Sequence, residues 1–409
     1  MTEGATRKPV LLVLASTYPR WRGDHEPGFV HELSRRLVER FQVIVLCPHA
    51  PGADRREWLD GVEVIRFRYA PSRLETLVND GGIAVNLRRS KWKALLVPLF
   101  LVAQLAVLVS VLARRRVDAI HAHWIIPQGL LACVAKVLTR SRAPLLVTSH
   151  GADVFALQGR LFDIARRFVL RRVNAATVVS GALLRAVTSQ ATGVGVVEVI
   201  PMGVDLQERF TASSLVERDA SLILFVGRLV EKKGVIHLIR AMSAIHRMRP
   251  GTRLEIVGFG PEELALKVVV RELGLQGAVT FTGPAAPDTL PAAYRRAGVF
   301  VAPFVEAAAG DQEGLGLVVV EALGCGCPVV VGNVRAVADT LGPYFDAVAV
   351  DATDEEGLAH RIIAVIAAGP VAQQALAASV IDRFDWRVIA NRYSALLLRL
   401  VHDRRDAEH

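Results

Sequence analysis

The sequence predicts an α/β protein made of two doubly wound, parallel-sheet domains. Short β-branched segments alternate with longer helical stretches over most of the chain, which is the pattern of parallel strands joined by helices. Twelve such segments are too many for one sheet of ordinary size. The 409 residues leave room for two or three domains, so we expect one sheet in each half.

The predicted strands divide at a boundary near residues 200–221. Those of the first half are residues 10–15, 42–47, 62–67, 119–123, 145–149, 176–179 and 196–200. Those of the second half are residues 222–226, 253–257, 278–282, 299–303 and 328–331. We place the first domain at residues 1–205 and the second at residues 206–383.

Composition excludes several classes of protein. Hydrophobic residues make up 52% of the chain and charged residues 22%, which excludes a disordered chain. Aromatic residues are only 6%, too few for a protein built on base-stacking platforms. The four cysteines have no zinc-site spacing, so we expect buried thiols in a reducing, cytoplasmic compartment. The N-terminus does not read as an export signal.

Charge is distributed unevenly between the two halves. Residues 1–200 contain 28 Lys and Arg against 15 Asp and Glu, whereas residues 201–409 contain 21 against 25. A basic half beside a mildly acidic half indicates that one domain meets an anionic surface. Nucleic acid and anionic lipid are the candidates, and the apolar segment described next favours lipid.

Residues 94–113 form an uncharged segment of twenty residues with basic residues on both sides. Its length is enough to cross a bilayer, but Pro98 and Gln104 interrupt it and the basic flanks give no preferred orientation. Three interpretations remain: a buried helix, a helix lying on the cytoplasmic leaflet with Trp92 at headgroup level, and a true span. The charge distribution favours the membrane surface.

The turns that follow the strands of the first half offer an anion site and a histidine. The turn at residues 16–30 lacks the G-x-G-x-x-G pattern of dinucleotide-binding sheets. It contains Gly23 and Gly28 before a helix predicted at residues 29–40, and its backbone amides are candidates for binding an anion. His150 lies at the end of the strand at residues 145–149, with Asp153 as the expected cap of the next helix.

A metal site at the histidines of the first half is disfavoured. His121 and His123 are two apart on one strand, so they face the same way and are conceivable metal ligands together with His150. No carboxylate or thiolate accompanies them at a metal-ligand spacing.

Two turns in the second half are candidates for binding a nucleotide. Arg228 ends a strand, and Lys233 follows it beside the start of a helix at Val235. Two cations near a positive helix end form a good clamp for a diphosphate. Gly258 and Gly260 lie in a second strand-to-helix turn, where a flat base could rest against exposed backbone.

The sharpest feature is a pair of glutamates, Glu313 and Glu321, around the start of a helix opened by Gly314 and Gly316. Eight residues of helix correspond to about 12 Å of rise and about 80° of turn. This separation suits a nucleotide-sugar, with sugar hydroxyls near Glu313 and ribose hydroxyls near Glu321. A carboxylate accepts two hydrogen bonds from a vicinal diol, and the helix start supplies amides.

With the residues that follow it, 322–329 (ALGCGCPV), this glutamate pair resembles the signature of the family-4 retaining glycosyltransferases. The resemblance covers nearly the whole chain. Its further segments are HAHWIIPQG (121–129), TSHGADV (148–154), PMGVD (201–205), GRLVEKKG (227–234), VGFGP (257–261) and FDW (384–386). In this order and spacing they are highly specific.

The resemblance implies a GT-B fold, with two Rossmann-like domains facing across a cleft and a C-terminal helix at 384–409 crossing back to the first. It implies that Arg228 and Lys233 hold the donor diphosphate and that Glu321 holds the ribose. Glu313 is then beside the donor sugar, His150 near the 6-position of that sugar, and the loop around Gly23 closes on the phosphates.

The predicted site follows from these roles. The catalytic residues are Glu313, His150, Arg228 and Lys233, and the donor-binding residues are Gly23, Arg228, Lys233, Gly258, Gly260, Gly314, Leu315, Gly316 and Glu321. The resemblance implies neither a divalent metal nor a cofactor, because Arg and Lys neutralise the leaving diphosphate. It also implies front-face attack, in which the leaving phosphate takes the acceptor proton.

The sequence departs from the family pattern in three places. Residues 335–339 read RAVAD where the family has Gly-Gly-hydrophobic-Pro-Glu, the first loop has Arg22-Gly23-Asp24 instead of a glycine pair, and residues 306–312 resemble an insertion. The resemblance therefore does not give the identity of the donor sugar.

The predicted function is transfer of a hexosyl unit from a UDP- or GDP-sugar to a lipid-linked or growing glycan. We expect the protein to be peripheral at the inner face of the cell membrane, with no nucleic-acid partner. Transfer to a soluble small molecule is the nearest alternative. The Glu313–Glu321 pair argues against a nucleotide-sugar 2-epimerase. A binding subunit with a decayed site is disfavoured because Arg228, Lys233, Glu313 and Glu321 are all present.

Overall fold

A computed structural model describes residues 7–24, 28–79, 82–189, 197–308, 310 and 312–406. The chain forms two compact units. Unit 1 contains Met1–Ile200 and Ile389–His409, and unit 2 contains Pro201–Val388.

Unit 1 is built on an eight-stranded sheet within the described ranges. Its strands are β1 (Val10–Leu14), β2 (Gln42–Pro48), β3 (Arg56–Leu59), β4 (Val62–Phe67), β5 (Ala119–His123), β6 (Leu145–Ser149), β7 (Ala175–Val178) and β8 (Val197–Val199). Their order is β3-β4-β2-β1-β5-β6-β7-β8. Only the β3–β4 pair is antiparallel among these described strands.

Unit 2 is built on a six-stranded sheet, again counted over the described residues. Its strands are β9 (Asp219–Val226), β10 (Arg253–Val257), β11 (Val279–Gly283), β12 (Ala297–Ala302), β13 (Val329–Gly332) and β14 (Ala349–Val350). Their order is β11-β10-β9-β12-β13-β14, with parallel neighbours throughout. The predicted pair of doubly wound parallel sheets is confirmed.

Helices connect most of the strands. They are α1 (Phe29–Leu37), α2 (Gly82–Arg89), α3 (Leu96–Arg114), α4 (Leu130–Thr139), α5 (Arg160–Leu170), α6 (Gly181–Thr188), α7 (Val235–Met248), α8 (Glu263–Glu272), α9 (Leu290–Arg296), α10 (Leu317–Gly324), α11 (Arg335–Leu341), α12 (Phe345–Val348), α13 (Glu355–Ala368), α14 (Gln374–Phe384) and α15 (Trp386–Asp406). In unit 2, α7 and α13 bury their apolar faces on β9, β10 and β12. The four cysteines are buried and free of disulfides.

Each sheet has one point at which the strand order reverses. In unit 1, β5 pairs with β1 on the side opposite β2. In unit 2, β12 pairs with β9 on the side opposite β10. Open parallel sheets bind ligands at such switch points, outside the carboxyl ends of the strands. The loops after β1 and β5, and those after β9 and β12, are therefore the positions to inspect.

Two strands were not predicted from the sequence. Strand β3 is a short antiparallel edge strand with a charged sequence, and its Trp58 is 65% exposed, so it lacks the apolar pattern of a buried strand. Strand β14 has only two residues. The predicted strand at 196–200 begins at Val197 in the described part of the chain, since residue 196 lies outside it. The first helix ends at Leu37 rather than at residue 40.

The C-terminal part of α15 packs in unit 1. The Tyr393 hydroxyl donates to the carbonyl of Ile200 at 3.1 Å, and the Tyr393 ring stacks on His121 with centroids 5.4 Å apart. The Arg399 guanidinium lies 3.0 Å from the Glu198 carboxylate. Ring stacking, a buried hydroxyl bond and an ion pair together fix this helix to the β5–β8 side of unit 1.

Helix α3 contains most of the apolar segment. Among the described residues, Lys91–Arg114 is the one continuous helical stretch long and apolar enough to cross a membrane, and 28% of its most apolar window is buried. The bent pair α13–α14 meets the same criterion only when both helices are counted as one span. The buried positions of the stretch Lys91–Arg114 include Phe100, Gln104 and Leu108, whereas Leu95 and Val102 are 75% and 67% exposed.

Candidate active site

The loops after β9 and β12 meet at the switch point of unit 2. Lys233 follows β9 and Glu313 follows β12, and the Lys233 ammonium lies 2.7 Å from the Glu313 carboxylate. Both side chains are largely buried, and the same ammonium lies 4.6 Å from the centre of the Phe304 ring. The structure therefore joins two predicted catalytic residues in one ion pair.

Glu313 is held as a carboxylate. Burial alone raises the pKa of this carboxyl, but the Lys233 ammonium, the nearby Lys232 charge and the Gly316 N–H outweigh burial and lower the pKa to about 2. The Gly316 amide donates to Glu313 Oε1 at 3.3 Å. A group with this pKa stays ionised at neutral pH, so it acts through its negative charge and its acceptor oxygens rather than as a proton donor.

Close backbone packing brings the two loops together. Gly234 has φ of +64°, and a Cβ at this position would lie 1.9 Å from the carbonyl oxygen of Pro303. A side chain at residue 234 would therefore push the start of α7 away from the loop after β12. Two further contacts link the loops: the Ala308 N–H donates to Glu231 and the Lys232 ammonium donates to the carbonyl of Gln312.

Gly258 and Gly260 also serve backbone packing. A Cβ at Gly258 would lie 1.8 Å from the carbonyl oxygen of Gly227, and one at Gly260 would lie 2.2 Å from that of Leu229. The need for glycine at these positions is thus explained without a ligand. Contact of this turn with a nucleotide base stays a prediction.

The expected helical spacing of the two glutamates is wrong. Helix α10 begins at Leu317, after Gly316 in the left-handed conformation with φ of +72°. Glu313 and Gly314 therefore lie in the loop, and only Glu321 lies in the helix, so the distance between the glutamates is not a simple helical rise. Leu315 is buried in this loop, and its carbonyl accepts the Thr340 hydroxyl at 2.8 Å.

Glu321 titrates near neutral pH. Burial raises the pKa of its carboxyl to about 7, although the Tyr294 hydroxyl, Arg209 and Lys233 oppose this rise. The Tyr294 hydroxyl donates to Glu321 Oε2 at 2.9 Å. One oxygen of the carboxyl is thus occupied by Tyr294, a residue that no sequence motif marked. The predicted diphosphate partner Arg228 lies half-buried in the loop after β9.

The three histidines of unit 1 form one group of neighbouring rings, two of them on β5 and one directly after β6. His121 and His123 have ring centroids 4.2 Å apart, and His123 and His150 are 5.2 Å apart. His123 Nδ1 and His150 Nε2 share a hydrogen bond of 2.9 Å. Thr148 Oγ1 bonds His121 Nε2 at 2.7 Å.

These histidines are held neutral. Burial lowers the pKa of His121 to about 3. Burial and the neighbouring His121 lower the pKa of His150 to about 3, and burial with both neighbours lowers the pKa of His123 well below its usual value. No group of three or more His, Cys, Asp or Glu side chains with metal-site geometry occurs in the described part of the chain.

Two expectations for unit 1 have different outcomes. Asp153 does not cap a helix, because its carboxylate accepts the Ile125 N–H of the loop after β5 at 2.7 Å and the Ser149 hydroxyl at the end of β6 at 2.8 Å. Gly23 has φ of +78° in a turn beside Asp24, which forms an ion pair with Arg20. Residues 25–27 of this loop lie outside the described residues. The predicted contact of Gly23 with phosphate stays a prediction.

Two sequence-family models match the chain. The model of glycosyl transferases group 1 matches residues 207–378, and that of glycosyltransferase family 4 matches residues 29–208. The first match contains the Lys233–Glu313 pair and Glu321, and the second contains the histidine group. The fold, the site and these two adjoining matches define a glycosyltransferase that uses a nucleotide-sugar donor. The chain belongs to glycosyltransferase family 4, whose fold is GT-B.

Curated relatives and solved structures agree with this assignment. A GDP-mannose-dependent α-(1-6)-phosphatidylinositol monomannoside mannosyltransferase of Mycolicibacterium smegmatis is 28% identical over 95% of this chain and 98% of its own. Sucrose-phosphate synthase from Thermosynechococcus elongatus superposes with a TM-score of 0.74 at 21% identity, covering 97% of this chain and 100% of its own. Anabaena HepE in complex with UDP and glucose superposes with a TM-score of 0.71 at 18% identity, covering 96% of this chain and 100% of its own. These two structures establish the fold.

Proposed function

We propose that this protein is a retaining hexosyltransferase that glycosylates a lipid-linked acceptor at a membrane surface. The observation that carries the proposal is the Lys233–Glu313 ion pair at the switch point of unit 2. A cation of this kind suits a leaving diphosphate, and a carboxylate that is ionised at neutral pH suits a sugar with developing positive charge.

The proposed transfer breaks the bond between the sugar C1 and the diphosphate oxygen and forms a bond from C1 to the acceptor oxygen on the same face. The acceptor proton passes to the leaving diphosphate. Lys233 and Arg228 neutralise the charge that develops there. Because the pKa of Glu313 is about 2, Glu313 is a poor proton acceptor at neutral pH, which is consistent with the diphosphate taking that proton.

GDP-mannose is the donor to test first. The Mycolicibacterium relative is named for GDP-mannose and a phosphatidylinositol monomannoside, and it aligns over nearly all of this chain. UDP-glucose is the second candidate, because HepE is bound to UDP and glucose. Arg228, Lys233 and Glu321 are assigned to the diphosphate and the ribose, which both donors contain, so these residues do not distinguish the two donors.

The proposed membrane contact is the exposed face of α3. Leu99 and Val102 on this helix, and Leu95 just before its start, are more than half exposed. An apolar face flanked by cations suits the surface of an anionic leaflet. The basic flank is smaller than the sequence suggests. Arg115 forms two hydrogen bonds to Glu63, at 2.7 and 3.0 Å, so it is already neutralised within unit 1.

Co-sedimentation with vesicles tests this contact. We expect the protein to pellet with vesicles of phosphatidylcholine and phosphatidylglycerol, and less with phosphatidylcholine alone. Leu99→Asp with Val102→Asp removes the binding, whereas Leu264→Asp in unit 2 leaves it, because Leu264 is 80% exposed on another helix. A protein that stays in the supernatant under all conditions favours the alternative of a soluble acceptor.

A transfer assay tests the reaction itself. Protein, GDP-mannose or UDP-glucose, and a phosphatidylinositol monomannoside are incubated, and the product is analysed by mass spectrometry and by the anomeric proton signal. We expect an α-linked product, which means retention. A β-linked product contradicts the proposed stereochemistry. Conversion of the donor without an acceptor supports the 2-epimerase alternative.

A further inference from the structure

An aromatic group lies at the switch point of unit 1. Phe29 begins α1 after the loop of β1, Trp124 follows β5, and His150 follows β6. The ring centroids are 6.1 Å apart for Phe29 and Trp124, 4.8 Å for Phe29 and His150, and 5.1 Å for Trp124 and His150. All three residues are half-buried, so the group remains accessible at the carboxyl edge of the sheet.

The backbone of Trp124 is strained. Its φ is +79° and its ψ is 132°, a conformation that bulky L-residues avoid. Three hydrogen bonds hold it: Trp124 N–H donates to the Thr148 carbonyl at 2.7 Å, Gly129 N–H donates to the Trp124 carbonyl at 3.1 Å, and Ile125 N–H donates to Asp153 at 2.7 Å. Strain maintained in this way is concentrated at functional sites.

The loop of Trp124 also contains buried polar atoms without a protein partner. His123 Nε2 and both amide atoms of Gln128 are buried and make no hydrogen bond within the part of the chain that the structure describes. Such groups are costly to leave unpaired. A ligand that carries several hydroxyls is therefore a better match for this loop than an acyl chain.

The chemistry of the group fits an uncharged ring with hydroxyls on its rim. An indole face binds the C–H face of a pyranose or cyclitol, and a neutral imidazole beside it accepts or donates one hydrogen bond. Binding sites of this kind combine aromatic walls with a few placed polar groups. The location agrees, because open parallel sheets bind ligands at this edge.

We propose that Trp124, supported by Phe29, forms the subsite for the acceptor ring beside His150, which keeps its predicted place near the 6-position of the donor sugar, and that the acceptor ring is an uncharged hexopyranose or cyclitol. This inference rests on the proposed function, because it names the class of acceptor that the transferase uses. Trp124 is the residue that determines specificity for a cyclic polyol over an acyclic one.

Saturation-transfer NMR with small probes tests the subsite without requiring turnover. The probes are methyl α-D-mannopyranoside and myo-inositol, with glycerol as the acyclic control. We expect saturation of the ring C–H protons of the first two and not of glycerol. If the unmodified protein transfers saturation to neither of the two ring probes, the proposal is overturned.

Two variants of Trp124 distinguish the loss of its indole ring from a loss of folding. Trp124→Gly removes the indole while permitting φ of +79° without steric cost, and we expect the affinity for the ring probes to fall by about five- to tenfold. Trp124→Phe retains an aromatic face and is expected to recover most of the binding. Trp58→Ala removes an exposed tryptophan from β3 in the same unit and is expected to change nothing. Equal loss in Trp58→Ala and Trp124→Gly overturns the proposal.

The donor provides the check against the proposed function. GDP-mannose or UDP-glucose should raise the melting temperature of Trp124→Gly as much as that of the unmodified protein. Loss of this donor effect in Trp124→Gly overturns the assignment to the acceptor. If ring binding depends on Trp124 but no acceptor is glycosylated, the proposed function fails while the ring subsite stands.

Discussion

The Lys233 ammonium and the Glu313 carboxylate lie 2.7 Å apart, although their positions in the chain differ by 80. They meet because β9 and β12 are neighbours in the sheet and because Gly234 lets the two strand-end loops touch. Glu313 is thus the partner of the cation that we propose for the donor diphosphate.

Replacing Glu313 by Gln should separate turnover from nucleotide affinity. The change removes a charge placed for the transition state, so we expect kcat to fall by about 100-fold. It also releases Lys233, so the affinity for a nucleoside diphosphate should stay the same or increase. Single-turnover kinetics and calorimetric titration measure the two effects. A parallel fall in both quantities contradicts the assignment of Glu313 to the sugar.

Replacing Lys233 by Ala should raise the barrier to transfer. Loss of one charge-stabilising group costs about 2–4 kcal/mol, or about 30- to 1,000-fold in kcat/KM. The matched control is Lys267→Ala, which removes an exposed lysine that pairs with Glu263 on its own helix and lies over the Phe281 ring, away from the Lys233–Glu313 pair. Steady-state rates that fall equally in both variants would indicate a general electrostatic effect rather than a site.

Donor affinity should depend on pH through Glu321. Its pKa of about 7 means that the carboxyl is mostly protonated below neutral pH, and the ionised form accepts hydrogen bonds from ribose hydroxyls better. We expect the affinity for a sugar nucleotide, whose diphosphate does not titrate in this range, to rise by about tenfold between about pH 6 and pH 8. Calorimetry at several pH values measures the rise. In Glu321→Gln we expect an affinity that does not change with pH over this range. If the pH dependence of the affinity persists in this variant, another group causes it.

Protein stability should fall as the pH decreases below about 6.5, because the histidines of unit 1 bind protons in the unfolded state but not in the folded state. The pKa values of His121 and His150 are lowered to about 3. As the pH falls from the ordinary histidine pKa towards these values, each such histidine therefore lowers the free energy of unfolding by about 1.4 kcal/mol per pH unit.

Urea unfolding at about pH 7.5, 6.5 and 5.5 measures this loss before most carboxylates titrate. In His121→Gln we expect a shallower pH dependence, although the variant is less stable at neutral pH. A stability that is constant over this range shows that the histidines are protonated in the folded protein.

Most of the sheet architecture could be predicted from the sequence, because strands buried on both faces appear as continuous β-branched segments. Strand β3 was not predicted, because its sequence is charged and largely exposed. The sequence also identified Glu313, Glu321 and Lys233 as a group, through their spacing and family resemblance.

The contacts within the site could not be predicted. The distance from Lys233 to Glu313 depends on which strands are neighbours, which no local pattern specifies. The helical spacing assumed for Glu313 failed because Gly316 adopts a left-handed conformation. Tyr294 lies in no motif that the sequence marked, and only the structure shows its hydrogen bond to Glu321. Trp124 lies in the family segment at residues 121–129, but that segment does not predict its left-handed backbone or its contacts with Phe29 and His150.

Binding of sugar nucleotides to the unmodified protein and to Glu321→Ala tests the donor site most directly. The measurement is a thermal shift with GDP-mannose, UDP-glucose and ADP-glucose in the absence of divalent metal. A ligand at about 100 times its Kd stabilises a protein by about 2.7 kcal/mol, which is detectable as a shift in melting temperature. We expect one donor to stabilise the unmodified protein and to lose this effect in Glu321→Ala. Stabilisation of equal size in Glu321→Ala contradicts a donor site built on Glu321 and the Lys233–Glu313 pair.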